Sequence, residues 1–191
     1  MSDYSDNERD LIYKKANSSM ILSIYDNTND TWDVEDYNNL RINFVNFDKN
    51  NKAKVLIPFY VNADEFMAVM ERILNCTFSK TQFDSKGSYV SYGGSKAQGL
   101  AQKRVDGELE RIIDGPESRI FKIYLNNGKL YVSGDAYKGK IVNNGAITKK
   151  GDRVSGLYYS MSPQEAIVMA STVLSYLKAK KTLAVSAAMR K

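Results

Sequence analysis

The chain has 191 residues, of which 43% are hydrophobic and 26% charged, a composition typical of a globular protein and not of a disordered, collagen-like or coiled-coil chain. One cysteine, Cys76, and no histidine are present, which excludes an internal disulfide, zinc sites built from Cys/His clusters, and Ser-His or Cys-His nucleophile pairs. Residues 1–50 carry 5 Lys/Arg against 10 Asp/Glu and residues 51–191 carry 22 against 12, so net charges of −5 and +10 make a polyanion such as nucleic acid a reasonable partner of the later part.

The first 19 residues are polar and acidic, and they contain neither the basic nor the apolar region of a signal peptide. No later stretch approaches the ~20 apolar residues that a membrane span requires. The sequence therefore predicts a cytoplasmic protein that does not contact a membrane. It also predicts no catalytic residue, no metal site and no cofactor.

The first predicted strands lie between residues 20 and 61. Met20–Tyr25 is a strand candidate. Leu40–Phe47 alternates apolar and polar residues, and the turn residues Asp48–Asn51 lead into a second run at Val55–Val61. This order predicts a hairpin that leads into a helix.

Two helix starts are predicted from capping residues. Asn62 with Glu65, and Ser162 with Glu165, have the spacing of a capping box, in which each side chain accepts a hydrogen bond from the other residue's backbone N–H. Pro163 suits the first helical position because its missing N–H would have no partner there. Apolar residues at helical spacing follow each cap and predict two amphipathic helices: Phe66, Val69, Met70, Ile73 and Leu74 in the first, and Ala166, Ala170, Val173, Leu174 and Leu177 in the second.

The second half of the chain contains four more strand candidates. Arg119–Leu125 and Lys129–Ser133 flank Asn126–Gly128, whose Asn-Gly pair tolerates the positive φ angles of a tight hairpin turn. Gly139–Val142 is predicted as a third strand and Gly156–Met161 as a fourth. The strands again precede a capped helix.

The connecting segment between the two halves allows two interpretations. Its later part forms either a helix through Leu109, Ile112 and Ile113 or a strand around Val105–Ile112, and Gly107 weakens the helix. The predicted domain organisation begins with an acidic segment at residues 1–19. One α+β domain follows at residues 20–178, made of two units at about 20–75 and 110–178 that a polar connection at 76–109 joins. A basic tail at residues 179–191 ends the chain.

Residues 53–74 align with residues 153–174 without a gap, so that strand, cap and apolar stripe coincide. This pattern predicts an α+β fold of two antiparallel sheet-then-helix repeats, with the helices packed on one face of the sheets. The alternative is that the two units share only a common local order of sheet and helix.

Basic and aromatic residues alternate along the predicted strands of the second unit. The chain has 13 tyrosines and 7 phenylalanines, and a tyrosine ring is apolar enough to stack on a nucleobase while tolerating water. Tyrosine is also an ordinary strand residue, and alternation turns half of these side chains inward. The candidate nucleic-acid-binding residues are Lys122, Tyr124, Lys129, Tyr131, Tyr137, Lys138 and Lys140.

Three segments resemble the end of the positive coactivator four family. They are YKGKIV at Tyr137–Val142, GAITKKGDRV at residues 145–154, and GLYYSMSPQEAIVMASTVL at residues 156–174. In that family a curved four-stranded sheet leads into a helix through a similar Ser-Pro-x-Glu cap. The doubled unit is similar to the Whirly arrangement of two such repeats in one chain.

This resemblance implies a single-stranded nucleic-acid-binding protein that oligomerises through its helices and binds DNA on its sheets. The chain departs from the Whirly pattern in its long polar segment 75–118. It also retains only Lys138-Gly139-Lys140 of the family's Lys-Gly-Lys-Ala-Ala-Leu signature.

Three functions are compatible with the sequence. The first is sequence-tolerant binding of single-stranded DNA or RNA by a phage or plasmid protein. The second is a protein-interaction or assembly module that does not bind nucleic acid, and the third is an enzyme that uses carboxylates. Met67, Ile167 and Val168 lie off the predicted apolar stripes, so a homo-oligomer formed through the helices is expected.

Overall fold

The computed structural model describes residues 10–28, 38–77 and 88–190, and the remaining residues (1–9, 29–37, 78–87 and 191) lie outside the described part of the chain. Residues 1–9 of the predicted acidic segment and residues 78–87 of the predicted connection are therefore not described. In chain order the elements are β1 (Leu11–Ala16), β2 (Met20–Asn27), β3 (Asn39–Phe47), β4 (Ala53–Asn62), α1 (Ala63–Leu74), β5 (Ser88–Ser95), β6 (Gln102–Val105), β7 (Glu108–Arg111), β8 (Glu117–Asn126), β9 (Lys129–Ile141), β10 (Ile147–Met161) and α2 (Pro163–Ala188).

The strands form two antiparallel sheets. The first has six strands in the order β1-β2-β3-β4-β6-β7, and the second has four in the order β10-β9-β8-β5. Helix α1 directly follows β4, and α2 directly follows β10. The predicted α+β class, with antiparallel sheets and two helices, is confirmed.

One hydrophobic core joins both sheets and both helices. Phe121 of β8 is fully buried at the centre of this core. Gly134 of the neighbouring β9 lies against the six-stranded sheet, where an added Cβ would overlap the ring of Phe59. A side chain at Gly134 would therefore force the sheets apart. The ring of Phe121 lies 5.7–6.3 Å, centroid to centroid, from four aromatic rings contributed by both sheets and α1: Phe44, Phe59, Phe66 and Tyr89.

A buried ion pair also connects the two sheets. Arg119 Nε lies 3.2 Å from Glu117 Oε2, and both side chains are almost fully buried. The Arg119 guanidinium donates a hydrogen bond to the Pro58 carbonyl of the six-stranded sheet, and burial lowers its pKa. The Glu117 carboxylate accepts the backbone N–H groups of Leu100 and Ala101. A buried pair with additional hydrogen bonds of this kind is costly to break on one side.

Both predicted helix starts are confirmed, but only one forms a complete capping box. The Ser162 hydroxyl accepts from Glu165 N, and Glu165 Oε2 accepts from Ser162 N at 2.9 Å. At α1 the Asn62 side chain accepts from Glu65 N at 3.0 Å. The Glu65 carboxylate accepts from the Tyr89 hydroxyl at 3.1 Å, so the reciprocal bond predicted for this helix is not formed.

The start of α2 is also bound to the edge of the six-stranded sheet. Lys15 Nζ on β1 lies 2.8 Å from Glu165 Oε1. This ammonium and the hydrogen bonds from Ser162 lower the pKa of Glu165 from 4.5 to about 2. A carboxyl group whose folded pKa is lowered stabilises the protein above its unfolded pKa, and that contribution is lost as the pH falls.

We therefore expect the stabilisation by Glu165 to disappear between pH 4.5 and pH 2, the unfolded and folded pKa of this carboxyl group. Glu165→Gln keeps the shape of the side chain without a titratable charge. In urea denaturation the variant should have a lower midpoint than the wild type at about pH 6, and the difference should shrink as the pH falls through this window. The other carboxyl groups titrate in both proteins, so their effects cancel in the difference between the two midpoints. A difference that stayed constant down to about pH 2.5 would contradict this role for Glu165.

Three predicted boundaries are wrong. β1 lies inside the segment assigned to the acidic N-terminal part, and residues 129–141 form one continuous strand in place of two. Residues 179–188, assigned to a basic tail, continue α2. Of the two alternatives for the later part of the connection, the structure has strand and not helix. β6 and β7 form a hairpin that extends the six-stranded sheet through pairing of β6 with β4.

Candidate nucleic-acid interface

Strand alternation divides the side chains of the four-stranded sheet between two faces. Phe121, Ile123, Leu130 and Val132 are buried in the core. The other side, here called the outer face, carries Ser118, Ile120, Lys122 and Tyr124 on β8 and their register partners Tyr137, Asp135, Ser133 and Tyr131 on β9. Three of the predicted tyrosines and Lys122 therefore lie on one face.

Three tyrosine rings form a row across the outer face. Tyr124 and Tyr131 are direct cross-strand partners, and their rings stack at 5.3 Å between centroids with 12° between the planes. Tyr158 on β10 lies 6.0 Å from Tyr131 and is 60% exposed. One face each of Tyr124 and Tyr131 is occupied by the other ring, so Tyr158 offers the most accessible surface of the row.

Burial raises the pKa of the Tyr124 and Tyr137 hydroxyls, and the nearby Asp135 carboxylate contributes to both shifts. The two phenols therefore remain protonated and uncharged at neutral pH. They can donate hydrogen bonds without adding negative charge to a surface that would contact phosphates.

Cationic side chains surround the tyrosine row. Lys122 lies between Ile120 and Tyr124 on β8, in register with Ser133. Lys149 Nζ is 5.6 Å from the centroid of the Tyr137 ring, within the range of a cation–π contact. Lys129 is exposed at the β8–β9 turn, where Asn127 and Gly128 adopt φ angles of 48° and 71°.

Lys138 and Lys140 do not share the outer face with the tyrosines. By strand alternation they belong to the same face of β9 as the buried Leu130, Val132 and Ala136, although both lysines are exposed. Lys138 lies at the last position where β9 pairs with β8, opposite Glu117 on β8 and Lys150 on β10. Lys140 follows in the ribbon of β9 and β10. The like charges of Lys138 and Lys150 repel each other, so an anion bound between them would be favoured.

The sequence-based prediction omitted two exposed tyrosines of the outer face. Tyr158 lies on β10 and Tyr92 on β5, where Tyr92 is 75% exposed. Alternation counted back from the helix cap would have found Tyr158, because Met161 and Tyr159, directly before α2, are the buried residues of the same strand.

Two cations of β10, Lys149 and Arg153, were also omitted. Both lie before the predicted strand Gly156–Met161, in a part of β10 that the sequence analysis did not assign to a strand. The register also shifts on both sides of Arg153, so simple alternation along β10 could not have assigned its side chain to a face.

A polar depression of about 260 Å³ lies beside the tyrosine row. Asp135 is 8% exposed, and its Oδ1 accepts a hydrogen bond from Arg153 Nη1 at 3.0 Å. The depression therefore combines a carboxylate, two cations and two aromatic rings: its lining includes Lys122, Tyr124, Ser133, Asp135, Arg153 and Tyr158.

Comparisons of the chain with protein-family models, curated proteins and solved structures find no match. Within the described ranges, neither helix combines the length and apolar character needed to cross a membrane. The same part of the chain contains no group of three or more Cys, Asp or Glu side chains placed to hold a metal ion.

Proposed function

We propose that this protein binds single-stranded DNA or RNA across the outer face of its four-stranded sheet. The row formed by Tyr124, Tyr131 and Tyr158 is the observation that carries the proposal. Every base has an aromatic face, so stacking on tyrosine accepts any sequence. Proteins that bind single strands in this way combine exposed aromatic side chains, which stack on the bases, with cations, which contact the phosphates.

The surrounding charges support the same ligand. Lys122 lies within the outer face and Lys149 stands over Tyr137, so ammonium groups are available beside the stacking surface. The ribbon beyond it holds Lys138 opposite Lys150. Phosphates passing from the sheet to this ribbon would neutralise cations that otherwise repel each other, and the released counterions would favour binding.

We include a Whirly-like arrangement of two repeats in the proposal, and the recurrence of an antiparallel strand followed by a capped helix supports it. Each helix follows a strand of an antiparallel sheet through an N-cap at Asn62 or Ser162. In this arrangement the helices lie away from the nucleic-acid face, leaving them available for self-association.

The measurement that tests the proposal is a titration with labelled oligo-dT at several salt concentrations. An oligonucleotide of about 20 to 40 nucleotides would span several times the ~4–16 nucleotide footprint of small binding folds. Lys122→Ala should weaken binding and reduce the salt slope by about 0.7, the value for one phosphate contact to a single strand. Lys103→Ala, which removes the same charge from the exposed surface of β6, should change neither quantity.

An absence of salt-sensitive affinity in the folded wild-type protein would overturn the proposal. The exposed tyrosines would then favour the protein-interaction module, because large apolar surfaces also serve protein partners. A salt slope that fell equally in the Lys122 and Lys103 variants would place binding away from the outer face.

Self-association through α2 is the second part of the proposal. Ile167, Val168, Leu183 and Val185 are 43–71% exposed on this helix, and burying them against a second copy would remove apolar surface from water. Light scattering at micromolar concentration should give a dimer or larger closed oligomer. Leu183→Glu should lower the mass, and Asn50→Glu, which adds the same charge at an exposed turn position outside α2, should not. A wild-type monomer would contradict this part.

A further inference from the structure

Asp135 is an unexpected residue at the centre of a surface proposed to bind phosphates. It lies on β9 between Ile120 of β8 and Gly156 of β10, and it is 8% exposed. A carboxylate repels phosphate oxygens and accepts hydrogen bonds only. A ligand group that favours this position must therefore present N–H or O–H donors, which in a nucleic acid are found on the base edges.

The depression beside Asp135 has room for such a group, with a volume of about 260 Å³. Gly156, the register partner of Asp135, is one of its lining residues. A Cβ added at Gly156 would overlap Asp135 Oδ1 and lie 2.9 Å from Arg153 Cδ, so the carboxylate and Arg153 already occupy the space that a side chain there would need. A larger residue at position 156 would therefore displace both groups.

Arg153 forms an ion pair with this carboxylate. Its Nη1 lies 3.0 Å from Asp135 Oδ1, and its side chain is 60% exposed, whereas the Asp135 side chain is only 11% exposed. A nearly buried carboxylate is costly to leave without a partner. If Arg153 turns toward a neighbouring phosphate, the N–H donors of a base edge would take its place at the carboxylate.

We propose that Asp135 and Lys122 form a guanine-selective subsite within the interface; this inference rests on the proposed function. Guanine presents two adjacent donors, N1–H and N2–H, which match the two oxygens of one carboxylate. Its O6 acceptor lies beside them, where the Lys122 ammonium can donate. Hydrogen bonds to charged groups are about twice as strong as neutral ones.

The other bases fit this pair of groups less well. Adenine and cytosine each place one amino group beside a ring-nitrogen acceptor, so the second carboxylate oxygen would face a lone pair. Thymine and uracil offer one N–H between two carbonyl oxygens. The rings of Tyr124 and Tyr158 border the same depression and would support the plane of any base, so selectivity comes from the base edge and not from stacking.

Anisotropy titrations of the full chain with five oligonucleotides test this subsite. Each would have about 12 nucleotides, within the ~4–16 nucleotide footprint of small folds, and would be oligo-dT with dT, dA, dC, dG or deoxyinosine at the centre. The dG oligonucleotide should bind about tenfold more tightly than oligo-dT, at the lower end of the discrimination of a bidentate base contact. Deoxyinosine lacks the N2 amino group and should fall between them.

Two variants locate the preference. Asp135→Asn places an amide N–H among guanine donors and should reduce the dG to dT affinity ratio to about one. Asp152→Asn removes the same charge from an exposed position in the β9–β10 ribbon and should leave the ratio unchanged. The comparison of five probes on the wild-type protein remains decisive even if the Asp135 variant fails to fold.

Different results would overturn the guanine subsite and the proposed binding of single strands. Binding of oligo-dT with equal affinity for all five probes, or a preference for dA or dC, would overturn the guanine subsite and leave the proposed function intact. Failure of the wild-type protein to bind any of the five would overturn both.

Discussion

Replacing Tyr158 by alanine should weaken binding of oligo-dT by about 1–3 kcal/mol, the range measured for one base stacked on one aromatic side chain. Tyr158 is 60% exposed and contacts Tyr131 at the end of the tyrosine row. The salt slope should remain nearly unchanged, because the substitution removes a stacking surface and no charge. Titrations at two or more salt concentrations would measure both quantities.

Two further substitutions distinguish stacking from a general loss of structure. Tyr158→Phe keeps the aromatic ring and should retain most of the affinity. Tyr60→Ala removes a partly exposed tyrosine from β4 of the six-stranded sheet and should have no effect on binding. Equal losses in the Tyr60 and Tyr158 variants would contradict the location of the interface.

Truncating Phe121 to alanine should destabilise the protein by about 3–5 kcal/mol, the usual cost of removing a buried phenylalanine ring. Phe121 is fully buried, and its ring contacts Phe44, Phe59 and Phe66, which lie on β3, β4 and α1. The cavity would open where the two sheets and a helix meet. Urea denaturation followed by circular dichroism would give the change in unfolding free energy.

Leu125→Ala is the matched control for this measurement. Leu125 lies on the same strand as Phe121 but is 46% exposed, so its truncation should change stability by no more than about 0.5 kcal/mol. If the Phe121 variant lost no more stability than this control, the two sheets would not share the core described above.

Local patterns predicted much of the secondary structure because their causes lie within a few residues. The capping bond from Glu165 N to Ser162 spans three positions, and the Asn127-Gly128 turn needs only two residues that accept positive φ. Alternation likewise predicted Leu40, Ile42 and Phe44 on one face of a strand, and all three are buried. These signals were sufficient for both helix starts and for most of the strands of the two sheets.

The candidate site was predicted only in part, since alternation assigns side chains to faces but does not show which face is covered. Tyr124, Tyr131 and Tyr137 lie on the outer face with Lys122. Lys138 and Lys140 belong to the opposite face of β9. The register shift between Lys150 and Arg153 contains Gly151 at a φ of 72°. A glycine within a strand often marks a bulge, but this segment was not predicted as a strand, so the cation beside Asp135 was missed.

Helix starts, tight turns and the alternation within strands can be predicted from the chain, because each depends on residues close together in it. Which partners meet across long separations follows only from the way the sheets and helices pack. Glu65 bonds to Tyr89 in place of its own cap, and Lys15 of the first strand reaches Glu165 at the start of the last helix. The β6–β7 hairpin completes a sheet begun far earlier in the chain. Such contacts depend on how the two sheets pack around Phe121, which no local pattern specifies.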